Sequence, residues 1–71
     1  EKNMKSKTAT LVKNLRLELG LSQMEFAKLV NKPQSTIGRI ETGAMIPTVH
    51  LLSEIATMVG KRLEIEFVEK A

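Results

Sequence analysis

The sequence predicts a compact, mostly α-helical domain of four helices, followed by one C-terminal β-strand. Apolar residues recur every three or four positions in four stretches, and Gly or Pro separates consecutive stretches. Beyond Gly60 the apolar spacing changes to two, which is typical of a strand. A chain of 71 residues allows one small domain, and its core must be mainly aliphatic because Phe26 and Phe67 are the only aromatic residues.

The first helix is predicted from Ser6 or Thr8 to Leu19, and Gly20 ends it. Its apolar residues at helical spacing are Leu11, Val12, Leu15 and Leu19. Residues 1–6 are predicted to be a flexible tail, and residues 7–60 the folded domain. The first 16 residues carry one acid, Glu1, against five basic residues, namely Lys2, Lys5, Lys7, Lys13 and Arg16. This basic end is either a solvated tail or a segment that lies near phosphate.

A second, short helix is predicted to begin at Gln23. Ser22 is a good N-cap, and Glu25 three residues later completes a capping box. The expected buried face is formed by Phe26, Ala27 and Val30.

The segment Asn31-Lys32-Pro33 ends that helix, because proline lacks an amide hydrogen and moves its predecessor away from helical angles. A third helix is then predicted over 34–42, with Gly43 as a left-handed cap. The stretch from Leu21 to Gly43 thus forms two short helices joined by a tight turn.

The third helix has an unusually polar surface. Ile37 and Ile40 are its only large apolar residues and can anchor one narrow stripe. The residues left facing outward are Gln34, Ser35, Thr36, Gly38 and Arg39. Side chains of this kind suit the DNA major groove, where Gln pairs with adenine and Arg with guanine, but an ordinary surface helix is also polar. Both interpretations are open on these residues alone.

A fourth helix is predicted over about 49–59, capped by Thr48. It offers a broad apolar face made of Leu51, Leu52, Ile55, Ala56 and Val59. His50 is the only histidine and the chain has no cysteine, so we expect neither a metal site nor a cofactor.

The last segment, residues 61–71, is predicted to be a strand. Leu63, Ile65 and Phe67 alternate with charged residues. A single strand cannot satisfy its own backbone, so it is expected to pair antiparallel with the same strand of a second copy, which predicts a homodimer. A fifth short helix or a loose tail is the alternative.

Several function classes are disfavoured. The chain has no set of residues typical of nucleophilic or acid–base catalysis and little length for a cleft, so no enzyme is expected. No apolar run approaches the about 18 residues of a membrane span, and no signal peptide is visible. A soluble, cytoplasmic protein is therefore the expectation.

The runs LGLSQMEFAKLV, STIGRIETG and LLSEIATMVGKRLEIEF resemble the Xre family of phage Cro- and C1-repressor-like proteins. The resemblance rests on the spacing of Gln23, Ala27, Ile37, Glu41, Gly43 and Pro47. It implies a lambda-repressor-like helix-turn-helix fold that binds double-stranded DNA.

By this resemblance, Gln23 contacts the DNA backbone, while bases and phosphates are met by Gln34, Ser35, Thr36 and Arg39. The competing interpretation for Arg39 is an ion pair with Glu41 or Glu25. Pro33 and the apolar segment Ala44-Met45-Ile46 depart from the polar or basic residues usual in the family, which bears on the strength of DNA binding.

The resemblance also implies a structural ion pair between Arg16 and Glu41. If the pair is partly buried, removing one partner costs about 3–5 kcal/mol because the other charge is stranded. If both residues are solvated, the same change is nearly neutral.

Within that family, Pro47-Thr48 together with the C-terminal run from Gly60 to Phe67 most resembles HigA-type antitoxins. It implies a repressor that binds a palindromic operator as a dimer, neutralises a toxin and regulates its own operon, in a bacterium or phage. Three alternatives remain: a toxin inhibitor for which DNA binding is secondary, a phage-type repressor without a toxin, and a scaffold that has lost DNA affinity.

Overall fold

A computed structural model describes residues 3–70 of the chain. Its four helices are α1 (Met4–Glu18), α2 (Gln23–Leu29), α3 (Gln34–Thr42) and α4 (Val49–Met58), which confirms the predicted four-helix domain. α3 packs against both α1 and α2. Glu1 and Lys2 of the predicted tail, and Ala71 of the predicted strand, lie outside the described residues.

α1 begins earlier than predicted. The Asn3 side chain accepts a hydrogen bond from the Ser6 amide at 2.9 Å, which caps the helix and brings residues 4–6 into it. The structure thus places residues 4–6 in α1, where the sequence predicted a flexible tail. Part of the predicted apolar face is also exposed, since Leu11 is 52% and Leu19 39% accessible. Thr8 takes a buried place on this face instead, with its hydroxyl donating to the Met4 carbonyl at 2.8 Å.

The turn between α2 and α3 has a defined geometry. Asn31 adopts a left-handed conformation with φ of 57°. The amides of Asn31 and Lys32 donate to the carbonyls of Lys28 and Ala27 at 3.2 and 3.0 Å, which is the Schellman arrangement. Asn tolerates the left-handed region better than most residues, so the sequence ends α2 here before Pro33 opens α3.

The remaining helix ends agree with the sequence. The capping box of α2 has both hydrogen bonds, from Glu25 N to Ser22 Oγ at 3.1 Å and from Ser22 N to Glu25 Oε1 at 2.8 Å. Gly43 caps α3 with φ of 81°, and Thr48 caps α4 by accepting from the Leu51 amide. The helices enclose a core of buried residues, namely Val12, Phe26, Ala27, Val30, Ile37, Ile40 and Ile55.

The C-terminal segment, residues 61–70, is neither helix nor strand, so the predicted strand is not formed in the described chain. No other stretch of residues 3–70 is a strand that would offer it backbone partners. Leu63 is half-buried, whereas Ile65 is 66% exposed and Phe67 fully exposed. Over this described range, every helix is too short or too polar to cross a membrane.

Candidate nucleic-acid interface

The outer face of α3 is polar. Ile37 and Ile40 are fully buried and fasten the helix to the core. Gln34, Ser35 and Arg39 are consequently exposed, and Thr36 is half-buried. Amide, hydroxyl and guanidinium groups thus face outward together on one short, rigid helix.

Arg39 makes no ion pair with any carboxylate within residues 3–70. Its two expected competitors are occupied, since Glu41 binds Arg16 and Glu25 binds the Ser22 amide. The structure therefore leaves the Arg39 charge available to an external acceptor.

Arg16 and Glu41 form a two-pronged ion pair between α1 and the end of α3. Arg16 Nε donates to Glu41 Oε2 at 2.8 Å, and Nη2 donates to Oε1 at 3.0 Å. Only 12% of the Arg16 side chain and 4% of the Glu41 side chain are exposed. Arg16 Nη1 also donates to the Leu21 carbonyl at 2.9 Å, so one guanidinium joins α1, the segment before α2, and α3.

The charge state of this pair follows from its surroundings. Burial is the largest influence on Glu41 and opposes ionisation, but hydrogen bonds from Arg16 and Gln23 and the charges of Arg16 and Lys13 outweigh it, so the Glu41 pKa is lowered. The hydrogen bond to Glu41 raises the pKa of Arg16, against a smaller opposing effect of burial. Both groups are therefore charged at neutral pH.

Gln23 has a contact that the sequence did not reveal. Its Nε2 donates to Glu41 Oε1 at 3.2 Å, and its side chain is half-buried. Its Oε1 lies 3.5 Å from the position that a Cβ on Gly38 would occupy. Gln23 thus links the first turn of α2 to α3. The two residues are 18 positions apart in the sequence, so no local sequence pattern indicates their contact.

The two departures from the family pattern have structural consequences. Pro33 at the N-cap of α3 supplies no side-chain hydrogen bond, so the first amides of this helix have no side-chain acceptor. In the loop after Gly43, Met45 packs against the core, while Ala44 and Ile46 are exposed. This loop therefore presents apolar rather than basic surface.

A second polar cluster ties the turn before α3 to α4. Lys32 Nζ lies 3.0 Å from Glu54 Oε1, and His50 Nε2 lies 3.7 Å from the same oxygen. Glu54 has a lowered pKa, chiefly because of the hydrogen bond from Lys32. Residues 3–70 contain no group of three or more His, Asp or Glu side chains placed to hold a metal ion.

The fold and the exposed polar helix define a helix-turn-helix domain. Residues 12–65 match the helix-turn-helix family HTH_3, and the chain belongs to that family. This confirms the resemblance to Xre-type proteins.

A solved structure supports the same assignment. The chain is similar to an HTH_3 family transcriptional regulator from Vibrio cholerae, with 36% sequence identity and a TM-score of 0.76. The similarity covers 82% of this chain and 33% of the Vibrio cholerae chain, so this chain spans about a third of that protein's length. Among curated proteins, none matches this chain.

Proposed function

We propose that this chain is the DNA-binding domain of a transcriptional regulator that reads double-stranded DNA with α3. The observation that carries the proposal is the exposed, unpaired Arg39 beside exposed Gln34 and Ser35 on a helix fastened by two fully buried isoleucines. A rigid helix with such side chains fits the major groove, and the family assignment and the named regulator from Vibrio cholerae support the same function.

In the proposed mechanism, α3 enters the major groove. Arg39 pairs with guanine and Gln34 with adenine, each good bidentate contact contributing about 1–3 kcal/mol of discrimination. Ser35 and Thr36 contact bases or phosphates. Gln23 combines a phosphate contact with its bond to Glu41, so that it also positions α3. Occupation of a promoter by this domain would block transcription in the bacterial cytoplasm.

We further propose that the domain acts as a two-fold dimer on a palindromic operator. Ile65 and Phe67 are exposed, and exposed apolar side chains of this size are stabilised when a second copy covers them. Leu63, half-buried, would anchor each C-terminal segment to its own domain. Two α3 helices about 34 Å apart would then meet successive major grooves on one face of the duplex.

The finer proposal is that this regulator is the antitoxin of a toxin–antitoxin pair. It rests on the HigA-like C-terminal run and on the exposed apolar residues there, which also fit a protein partner. Co-purification with the product of an adjacent small reading frame would support it. A neighbourhood without such a frame would favour a phage-type repressor. A toxin complex with only weak operator binding would favour the inhibitor alternative.

The first test is selection of bound sequences from random duplex DNA, followed by affinity measurements on the winning site. Arg39→Ala is expected to weaken binding to that site and to relax base preference at one position. Lys28→Ala is the control that removes the same charge, because Lys28 is exposed and lies on α2, outside α3 and the C-terminal segment. If Arg39→Ala and Lys28→Ala bind alike, Arg39 is not a reading residue. If no sequence is enriched by the folded protein, the DNA-binding proposal fails.

The dimer has its own test in light scattering. Ile65→Lys should reduce the measured mass from that of a dimer to that of a monomer. The control is Val49→Lys, which replaces another exposed apolar residue, on α4, and should leave the measured mass unchanged. A dimer that persists in Ile65→Lys would place the interface elsewhere.

A further inference from the structure

A polar groove of about 460 Å³ lies between the first half of α1 and the end of α3. α1 contributes Lys5, Ser6, Thr10 and Lys13, and α3 and its cap contribute Thr42 and Gly43. Ammonium and hydroxyl donors are the groups that bind phosphate oxygens. The groove lies beside the outer face of α3, and it brings together two lysines, Lys5 and Lys13, that the sequence showed only as members of a basic N-terminal segment.

The charge of the groove is positive. Lys5 and Lys13 are exposed and make no ion pair within residues 3–70. Glu41 also lines the groove, where Arg16 neutralises it through the two hydrogen bonds described above and the charge of Lys13 adds a weaker attraction without forming an ion pair. The first turn of α1 contains no acidic residue. An anion entering the groove therefore meets two unpaired ammonium groups.

The groove is held in place by contacts between its two walls. A Cβ added at Gly43 would lie 3.8 Å from Lys5 Cβ, which shows that the base of the Lys5 side chain lies against the cap of α3. Asn3 caps the turn from which Lys5 and Ser6 project. The lysines consequently do not depend on a flexible tail for their position.

The groove also continues the surface that α3 presents. Thr42 follows Arg39 by three residues, a rise of about 4.5 Å along α3. A DNA strand that borders the major groove occupied by α3 would pass the end of the helix at this point. We propose that the groove binds a backbone phosphate of DNA flanking the bases read by α3, with Lys5 and Lys13 as its cationic ligands.

This inference rests on the proposed DNA-binding function. The test compares the wild type, Lys5→Gln/Lys13→Gln and Lys7→Gln/Lys28→Gln on a mixed-sequence duplex of about 24 base pairs, over a range of salt concentrations. The last variant removes the same charge from exposed residues that lie outside the groove. Thermal melts of all three proteins verify that they are folded.

We expect Lys5→Gln/Lys13→Gln to bind on the order of tenfold more weakly at ~0.1 M salt, with a salt slope shallower by about one to two. The control variant should change both quantities much less. Equal losses in the two variants would overturn the phosphate site and leave only a general effect of net charge. Absence of binding by the wild type would overturn the DNA-binding function itself, and the inference with it.

Discussion

Replacing Arg16 with methionine tests whether the ion pair with Glu41 holds the helix-turn-helix unit on α1. Methionine retains an unbranched apolar stem, so the packing of the arginine methylenes is partly preserved while the charge is removed. The Glu41 carboxylate, 4% exposed, then keeps only the hydrogen bond from Gln23. The Leu21 carbonyl also loses its donor.

The expected loss is large for a domain of this size. Stranding one member of a buried pair costs about 3–5 kcal/mol. For 71 residues the total stability is expected to be about 4–11 kcal/mol. A loss of about 3 kcal/mol corresponds to a fall in Tm of about 12–24 °C. Arg16→Met should therefore be partly unfolded at moderate temperature.

The assay is urea unfolding followed by circular dichroism, with Arg62→Met as the control. Arg62 and Glu64 also approach to 2.8 Å, but their side chains are 85% and 74% exposed. Because water screens an exposed pair, that substitution should cost less than about 1 kcal/mol. Equal effects of Arg16→Met and Arg62→Met would refute the argument that burial determines the energy of the pair.

A double variant, Arg16→Met/Glu41→Met, separates stranded charge from lost packing. Since neither charge then remains buried, most of the stability lost in Arg16→Met should return. A double variant as unstable as the single one would mean that the hydrogen bonds of the pair, and not the uncompensated carboxylate, carry the stability.

Three further predictions concern the same helix. The pKa of Glu41 is lower in the folded protein than the usual Glu pKa of about 4.3. The ionised carboxylate therefore contributes its full stabilisation above that usual pKa, and this stabilisation is lost as the pH falls through the pKa of Glu41 in the folded protein. Urea titrations between about pH 6 and 3 should show this loss, and Glu41→Gln should flatten it. Gly38→Ala should raise stability by about 1 kcal/mol, since the new Cβ meets only Gln23 Oε1 at 3.5 Å; no gain in Tm would contradict this. Ile37→Ala should cost about 2–5 kcal/mol in urea unfolding because Ile37 is fully buried, whereas a comparable loss from Met24→Ala, 54% exposed, would contradict the assigned core.

The local structure of the domain was largely predictable from short sequence signals. Ser22 and Glu25 determine where α2 begins, and Gly43 and Thr48 mark the end of α3 and the start of α4. Each of these signals acts within three or four residues, through one side chain and nearby backbone groups. Asn3 is a signal of the same kind, and it would have predicted the true start of α1.

The exposed polar surface of α3 also followed from the sequence. Ile37 and Ile40, three residues apart, define the buried stripe. The other side of the helix is exposed at Gln34, Ser35 and Arg39, as expected, whereas Thr36 is half-buried. Leu11 shows the limit of this reasoning, because its helical spacing suits a buried face and yet it is 52% exposed. Whether an apolar helix position is covered depends on which neighbour lies across from it.

Tertiary structure alone decided the contacts between residues distant in sequence. Gln23 contacts Glu41, and the base of the Lys5 side chain lies beside Gly43, because α3 packs against both α1 and α2. The sequence by itself determined the helices, their caps and the polar face of α3, since those depend on neighbours within one helical turn. The buried ion network and the basic groove depend on how three helices pack, and no local pattern encodes the distances between side chains on separate helices.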